Sequence, residues 1–440
     1  MEEEKLPNRE NKYINPGNGW YDFTTVPEEE AQVNYINYIT GQKNNQKVIT
    51  NTDIAISHLI RKGKNGEKEF ALIETIVPST IKREGYNGIL LEVPFFALPS
   101  KDKLPYEEIV EIIDRGILDL NLYMEGNLTL DGEKTPIQQS FSDQCGQFFV
   151  SAVSDRKGES DSRLHWIPIS ELKSYINLQL NGGADNIHSS LQSLYALKLL
   201  QNKYDKELSL IPEQDFKIDK PVKGIQVVSQ FQTVKNSPRF TIEDVVYADE
   251  TGKKEYSTYA GSRDSMAVIL LVKDEKKGEY NLILSKQQRS PFVENKELNN
   301  GILNEVVGGM VEKGQSLYDT AIAESEQEQG YKLSKEDLVL LAKPFIASLS
   351  AEEFGAIFVG FANPQNREEM KLDKDENSTE AISGEQEYVS LSEAASNLER
   401  ISPAPIATKL AVLLANDYVQ ERKKEQDKAK KDESREQEVR

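Results

Sequence analysis

Apolar residues fall mostly in short strand-like runs, and helical spacing is confined to a few segments. Ile54 to Ile60 and Phe70 to Val77 flank Lys62-Gly63-Lys64-Asn65-Gly66, which predicts a hairpin. Met266 to Val272 and Tyr280 to Leu284 flank a charged turn containing Gly278 and predict a second one. Helices are expected over Pro105 to Gly116, from Ser316 to Gly330, and at Ser189 to Leu200 and Ile406 to Leu414.

These elements recur in order. Asn87-Gly88-Ile89-Leu90-Leu91-Glu92-Val93 returns as Asn300-Gly301-Ile302-Leu303-Asn304-Glu305-Val306. Trp166-Ile167-Pro168-Ile169-Ser170-Glu171-Leu172 is echoed by Tyr388-Val389-Ser390-Leu391-Ser392-Glu393-Ala394. Each echo precedes one of the two late helices. Landmarks repeated in one order point to duplication. Strand-rich halves, each with a central and a terminal helix, predict an α+β fold of two tandem α/β/α sandwich domains on mixed sheets. The expected boundaries are a polar N-terminal segment at 1–22, a first domain at 23–205, a linker at 206–224, a second domain at 225–416 and a charged tail at 417–440. That tail either extends the preceding helix through i,i+4 Glu/Lys pairs or stays a solvated coil.

A chain of 440 residues exceeds one ordinary core, in line with two domains. It is 38% hydrophobic and 29% charged, as a globular protein would be. A net charge of -20 argues against nucleic acid and anionic membranes as partners, because both require a basic surface. It does not exclude a nucleotide whose phosphates are neutralised by a cation. Cys145 is the only cysteine, which excludes disulfides and thiolate zinc sites within the chain and suits a reducing compartment. With no secretory leader pattern and no apolar run near the roughly 20 residues a bilayer requires, a cytoplasmic location is expected.

The chemistry concentrates at residues 308–330. Gly308-Gly309 follows an apolar strand and permits a sharp turn. Ser316 and Asp319 form a capping-box pattern that starts a helix at Leu317, and Gly330 is placed to stop it. Glu324 and Glu328, one turn apart, share a helix face. Two carboxylates together with substrate phosphates suffice for magnesium, which keeps several of its waters.

The segment resembles the Nudix box of the Nudix hydrolases: a glycine, five residues, Glu, seven residues, Arg-Glu, an apolar residue, any residue, Glu-Glu, any residue, Gly. Gly309, Glu324, Glu328 and Gly330 match in register, whereas Gln315, Ala323, Ser325 and Gln327 depart from it. The flanks are most similar to the branch acting on ADP-ribose and related nucleoside diphosphate sugars. Gln287-Gln288-Arg289 resembles its Gln-aromatic-Arg, and Glu305-Val306-Val307-Gly308-Gly309 its Glu-Leu-Pro-Ala-Gly. Phe345 to Phe358 resembles its segment after the box, with Ser348-Leu349 in place of Pro-Gly.

The resemblance implies two Nudix-like sandwiches and a nucleoside diphosphate derivative as substrate. It implies Mg2+ or Mn2+ held by Glu324, Glu328 and the Gly308 carbonyl. Arg289, with Gln288 and Glu305, would serve the substrate, and Glu380 is the candidate base, near Glu376 and Glu385. Gln327 removes a charge beside the metal, which predicts slower turnover or a Nudix-fold protein that only binds a nucleotide ligand or a protein partner.

Setting Gly116 opposite Gly330 puts Val110, Ile113 and Asp114 at the metal-facing positions of the first half, and Phe96-Ala97 at its glycine turn. The first half is therefore read as structural. The family works as dimers, so a fused inert copy is expected to form an intramolecular pseudo-dimer, itself monomeric or paired again as a homodimer. His58, His165 and His188 are read as packing or surface residues, and Gly182-Gly183 as a turn between helices.

Overall fold

The computed structural model describes residues 31–36, 43–48, 53–99, 104–137, 144–156, 161–184, 187–210, 214–218, 220–229, 232–236, 241–248, 252, 254–261, 263–293, 295–347, 351–368 and 381–438. A hairpin of β1 (Ala31–Ile36) and β2 (Lys43–Val48) comes first. The first main sheet contains β3 (Ile54–Lys62), β4 (Lys68–Ile76), β5 (Ile89–Glu92), β6 (Phe95–Ala97), β7 (Leu122–Pro136), β8 (Cys145–Asp155) and β9 (Leu164–Pro168). A smaller sheet is built from β10 (Gln226–Val227), β11 (Gln232–Asn236), β12 (Thr241–Ala248) and β13 (Lys254–Gly261). The second main sheet contains β14 (Ser265–Asp274), β15 (Glu279–Gln288), β16 (Ile302–Glu305), β17 (Val307–Met310) and β18 (Leu338–Ile346). β19 (Ala351–Glu352) joins the smaller sheet, and β20 (Phe354–Phe361) and β21 (Ala381–Ser390) complete the second main sheet.

The two main sheets share one plan. The first runs β5-β4-β3-β8-β7, with β6 on β3 and β9 on β4; the second runs β16-β15-β14-β20-β18, with β17 on β14 and β21 on β15. Their central pairs, β3 with β8 and β14 with β20, are parallel. Registers agree as well. Ile54 faces Gly146 as Ser265 faces Gly355, Ile73 faces Glu92 as Ser285 faces Glu305, and Phe70 faces Ile167 as Leu282 faces Val389. The fold is therefore two tandem α/β units on mixed sheets.

Buried central strands such as Ser265–Asp274 are nearly continuous in apolar residues because helices cover both faces. On the outer face of the first sheet lies α1 (Tyr106–Asp119), whose Ile109, Ile113 and Ile117 pack on Ala55, Leu59 and Phe149. Next in the chain come α2 (Leu172–Leu180) and α3 (Leu191–Leu208), then α4 (Leu317–Gln329), α5 (Leu391–Ser396) and α6 (Ile406–Glu438). Outside the second sheet, Ala321 of α4 joins Val268, Leu270 and Phe358. The inner faces merge. Leu194 and Leu197 of α3, Leu410 and Leu414 of α6, and Phe70, Phe148, Leu282 and Ile357 of the two sheets belong to one buried cluster.

Contacts between the halves are exchanged, as a two-fold interface requires. Tyr86, shortly before β5, packs edge-on against Phe354, the first residue of β20. Leu298, shortly before β16, packs with Cys145, the first residue of β8. β1 and β2 lie against the Ser290–Phe292 turn of the second half, and β13 lies against Pro78–Lys82 of the first. The Lys409 ammonium of α6 donates to Asp131 Oδ2 and Thr135 Oγ1 of β7, each at 2.9 Å, with side chains of Lys409 and Asp131 1% and 7% exposed.

Two expectations change in detail, and a third is decided between its alternatives. Gly116 does not stop α1, which runs on to Asp119; the glycine lets the helix sit against the Phe96 ring, where a Cβ would collide. Sheet register places Phe95 and Phe96, rather than Phe96 and Ala97, at the positions of Gly308 and Gly309. The charged tail continues α6 to Glu438, so of its two readings the helix is adopted. No helix among the described residues is long and apolar enough to cross a membrane.

Candidate functional site

The candidate site lies where β17 passes beneath α4. Ser316 caps the helix in a full capping box with Asp319, and Gly330 ends it in the left-handed region at φ 75°. Gln329 ties the helix to β15 by donating to the Ile283 carbonyl at 3.3 Å and to Ser285 Oγ at 3.2 Å. The register of the helix on the sheet is thereby fixed.

Gly309 is required by what lies above it. A Cβ there would come within 2.6 Å of Glu324 Cγ and Oε1, so the Glu324 side chain occupies the space a larger residue would fill. Glu328 is 2% exposed, and its Oε2 accepts from the Gly308 amide at 3.2 Å. Its Oε1 accepts from Gln287 Nε2 at 3.3 Å. Glu324, Glu328 and Gly308 are thus brought together.

Arg289 lies beside this group in a buried ion pair. Its Nε and Nη2 donate to Glu305 Oε1 and Oε2 at 2.8 and 2.6 Å, the planar fork matching the carboxylate. Nη2 also donates to Gln287 Oε1 at 2.6 Å. Gln288 is buried at the end of β15, opposite Ile302 and Ala381. Glu380 and Glu376 lie outside the described residues. Glu385 is exposed on β21 and pairs with Lys286 at 3.3 Å.

The departures from the box are accommodated locally. Ser325 is fully buried and donates to the Ala321 carbonyl at 2.7 Å, which satisfies its hydroxyl within the helix. Gln315 Oε1 accepts from Thr320 Oγ1 at 3.2 Å, Ala323 is exposed, and Gln327 is half-buried.

The first half lacks this arrangement. Phe96 stands at the Gly309 position, and its ring joins Ile109, Ile113 and Ile117 in an apolar cluster. Where Arg289 follows β15, Val77 follows β4. Glu92, the register partner of Glu305, accepts from Ser190 N at 2.6 Å and from the Ser190 and Ser193 hydroxyls at 2.5 Å each. Burial pushes its carboxyl up to about 7 against these hydrogen bonds. Of the histidines, His58 Nε2 donates to the Ala196 carbonyl at 2.8 Å, His165 meets Glu74, and His188 Nε2 donates to the Gly85 carbonyl at 3.0 Å.

Among the described residues no group of three or more His, Cys, Asp or Glu side chains is placed to hold a metal. Two carboxylates over a glycine strand still fit magnesium, a hard cation that takes few protein ligands and keeps waters. A cleft of about 600 Å³ opens elsewhere, between α2, α3, β18 and α6, and shares no residue with the carboxylates. Gln287 is the residue that the sequence left without a role; its position between a donor-only and an acceptor-only side chain was invisible there.

No protein-family model matches the chain, and no curated protein matches it. A solved structure of an ADP compounds hydrolase is similar at 19% identity with a TM-score of 0.36, covering 46% of this chain and 98% of that one.

Proposed function

We propose that residues 225–416 form a Nudix-type hydrolase unit that cleaves the diphosphate of a nucleoside diphosphate derivative, with ADP-ribose the first substrate to try. The supporting observation is the meeting of Glu324 and Glu328 over the Gly308-Gly309 strand. On this reading Glu324, Glu328 and the Gly308 carbonyl would hold Mg2+ or Mn2+. A cation held there would supply polarisation of the diphosphate and activation of water. Arg289, with Gln288 and Glu305, would serve the substrate, and Glu380 is the base to test. Gln327 withholds one negative charge, so turnover is slower than a complete box would give. Residues 23–205 act as a permanent structural partner, which avoids the entropy of association.

A second reading is a binding protein without turnover. It is favoured by the commitment of Arg289 to Glu305 and by Gln327. The deciding experiment incubates the protein with ADP-ribose and a panel of nucleoside diphosphate sugars, with Mg2+ or Mn2+, and follows nucleoside monophosphate release. Release that a chelator and Glu328→Gln both abolish supports the hydrolase. No release from folded protein, with saturable ADP-ribose binding by calorimetry, supports the binding protein.

A further inference from the structure

Gln287 sits between two groups whose hydrogen-bonding capacities are opposite. Arginine can only donate, so it must meet the amide oxygen, and the amide nitrogen is left to donate to Glu328. The amide orientation is therefore forced: Oε1 faces Arg289 and Nε2 faces Glu328. The result is a continuous buried chain from Glu305 through Arg289, Gln287 and Glu328 to the Gly308 amide. Gln287 is 0% exposed, and Arg289, Glu305 and Glu328 are at most 7% exposed. Hydrogen bonds in such surroundings are electrostatically stronger than in water and polarise one another.

We propose that Gln287 is a positioning residue that fixes the Glu328 carboxylate against the Gly308 strand and couples it to the Arg289–Glu305 pair. The identity of the cation site rests on the hydrolase reading; the hydrogen-bonded chain does not. Loss of the amide removes the hydrogen bond to Glu328 Oε1, and Gln287 carries the hydrogen-bonded path from Arg289 to that carboxylate. Residues that orient metal ligands through hydrogen bonds in this way have large effects on metal affinity.

The test uses the full chain as wild type, Gln287→Met, Arg289→Lys and the double variant. Methionine keeps the length of the side chain but neither donates nor accepts as an amide does, and lysine keeps the charge beside Glu305. Binding of Mn2+ alone is followed by electron paramagnetic resonance, and the Gly308 amide by NMR with glycine-selective ¹⁵N labelling. Gln287→Met is expected to weaken Mn2+ roughly tenfold or more. Arg289→Lys is expected to weaken it where Gln287 is present and to add little where it is absent. Full additivity, or wild-type Mn2+ affinity in Gln287→Met, overturns the proposal. A wild-type protein that binds no Mn2+ removes the hydrolase reading instead, and the Gly308 amide then decides. A resonance displaced in both single variants upholds the coupling; an unmoved one overturns it.

Discussion

Glu92 and Glu305 occupy the same register position in the two main sheets, but only one of these positions is followed through to an arginine. Glu305 is gripped by Arg289, whereas Glu92 lies against the hydroxyls of Ser190 and Ser193 at the start of α3. One sheet plan thus carries an ionised pair in one half and a carboxyl raised to about 7 in the other.

The raised carboxyl makes stability depend on pH. Glu92 moves from 4.5 to about 7 on folding, so its contribution is full below pH 4.5 and is lost as pH rises through about 7. The loss amounts to about 3 kcal/mol at most. His58, lowered to about 4 by burial, has the opposite slope, since its stability is lost as pH falls from 6.5. Glu92→Gln removes the first slope and leaves the second. Urea unfolding across pH 4 to 8 should show the variant gaining on wild type as pH rises; parallel curves would contradict the assignment.

Lys409 and Asp131 join the halves through a buried ion pair. Lys409→Met leaves the Asp131 charge buried without its cation and should cost about 3–5 kcal/mol. Adding Asp131→Asn should recover part of that loss. Equilibrium unfolding measures both, and a cost below about 1 kcal/mol for the single change would place the coupling elsewhere.

Gly309→Ala tests the seat of Glu324. The new Cβ would meet the Glu324 carboxylate within 2.6 Å, and the backbone there does not need a left-handed glycine. Thermal stability should change little while Mn2+ affinity falls roughly tenfold or more, because a ligand is displaced. Unchanged Mn2+ binding would mean that Glu324 is not a ligand.

Gln327→Glu restores the missing charge of the box. A carboxylate next to Glu328 on α4 should tighten Mg2+ binding and raise metal-dependent turnover several-fold at subsaturating metal, as added negative charge does near a cation. Initial rates against Mg2+ concentration measure it, and an unchanged affinity would show that this side chain points away from the cation.

Local chemistry made much of this protein legible in its sequence. The hairpins over Ile54 to Val77 and Met266 to Leu284, the capping box at Ser316 and the stop at Gly330 depend on neighbours a few residues away, and each was readable. The pairing of Glu324 and Glu328 follows from helical spacing alone. Tertiary packing decided the rest. Gly116 reads as a helix stop until Phe96 is seen against it, and the one-residue placement of Phe95 and Phe96 is set by sheet register rather than by spacing along the chain. Gln287 lies 41 positions from Glu328, and Lys409 lies 278 from Asp131. Such partners are selected by burial, which demands that each enclosed polar group find a mate wherever the fold brings one. Sequence sets which groups need partners, and only the packed chain determines which partners they obtain.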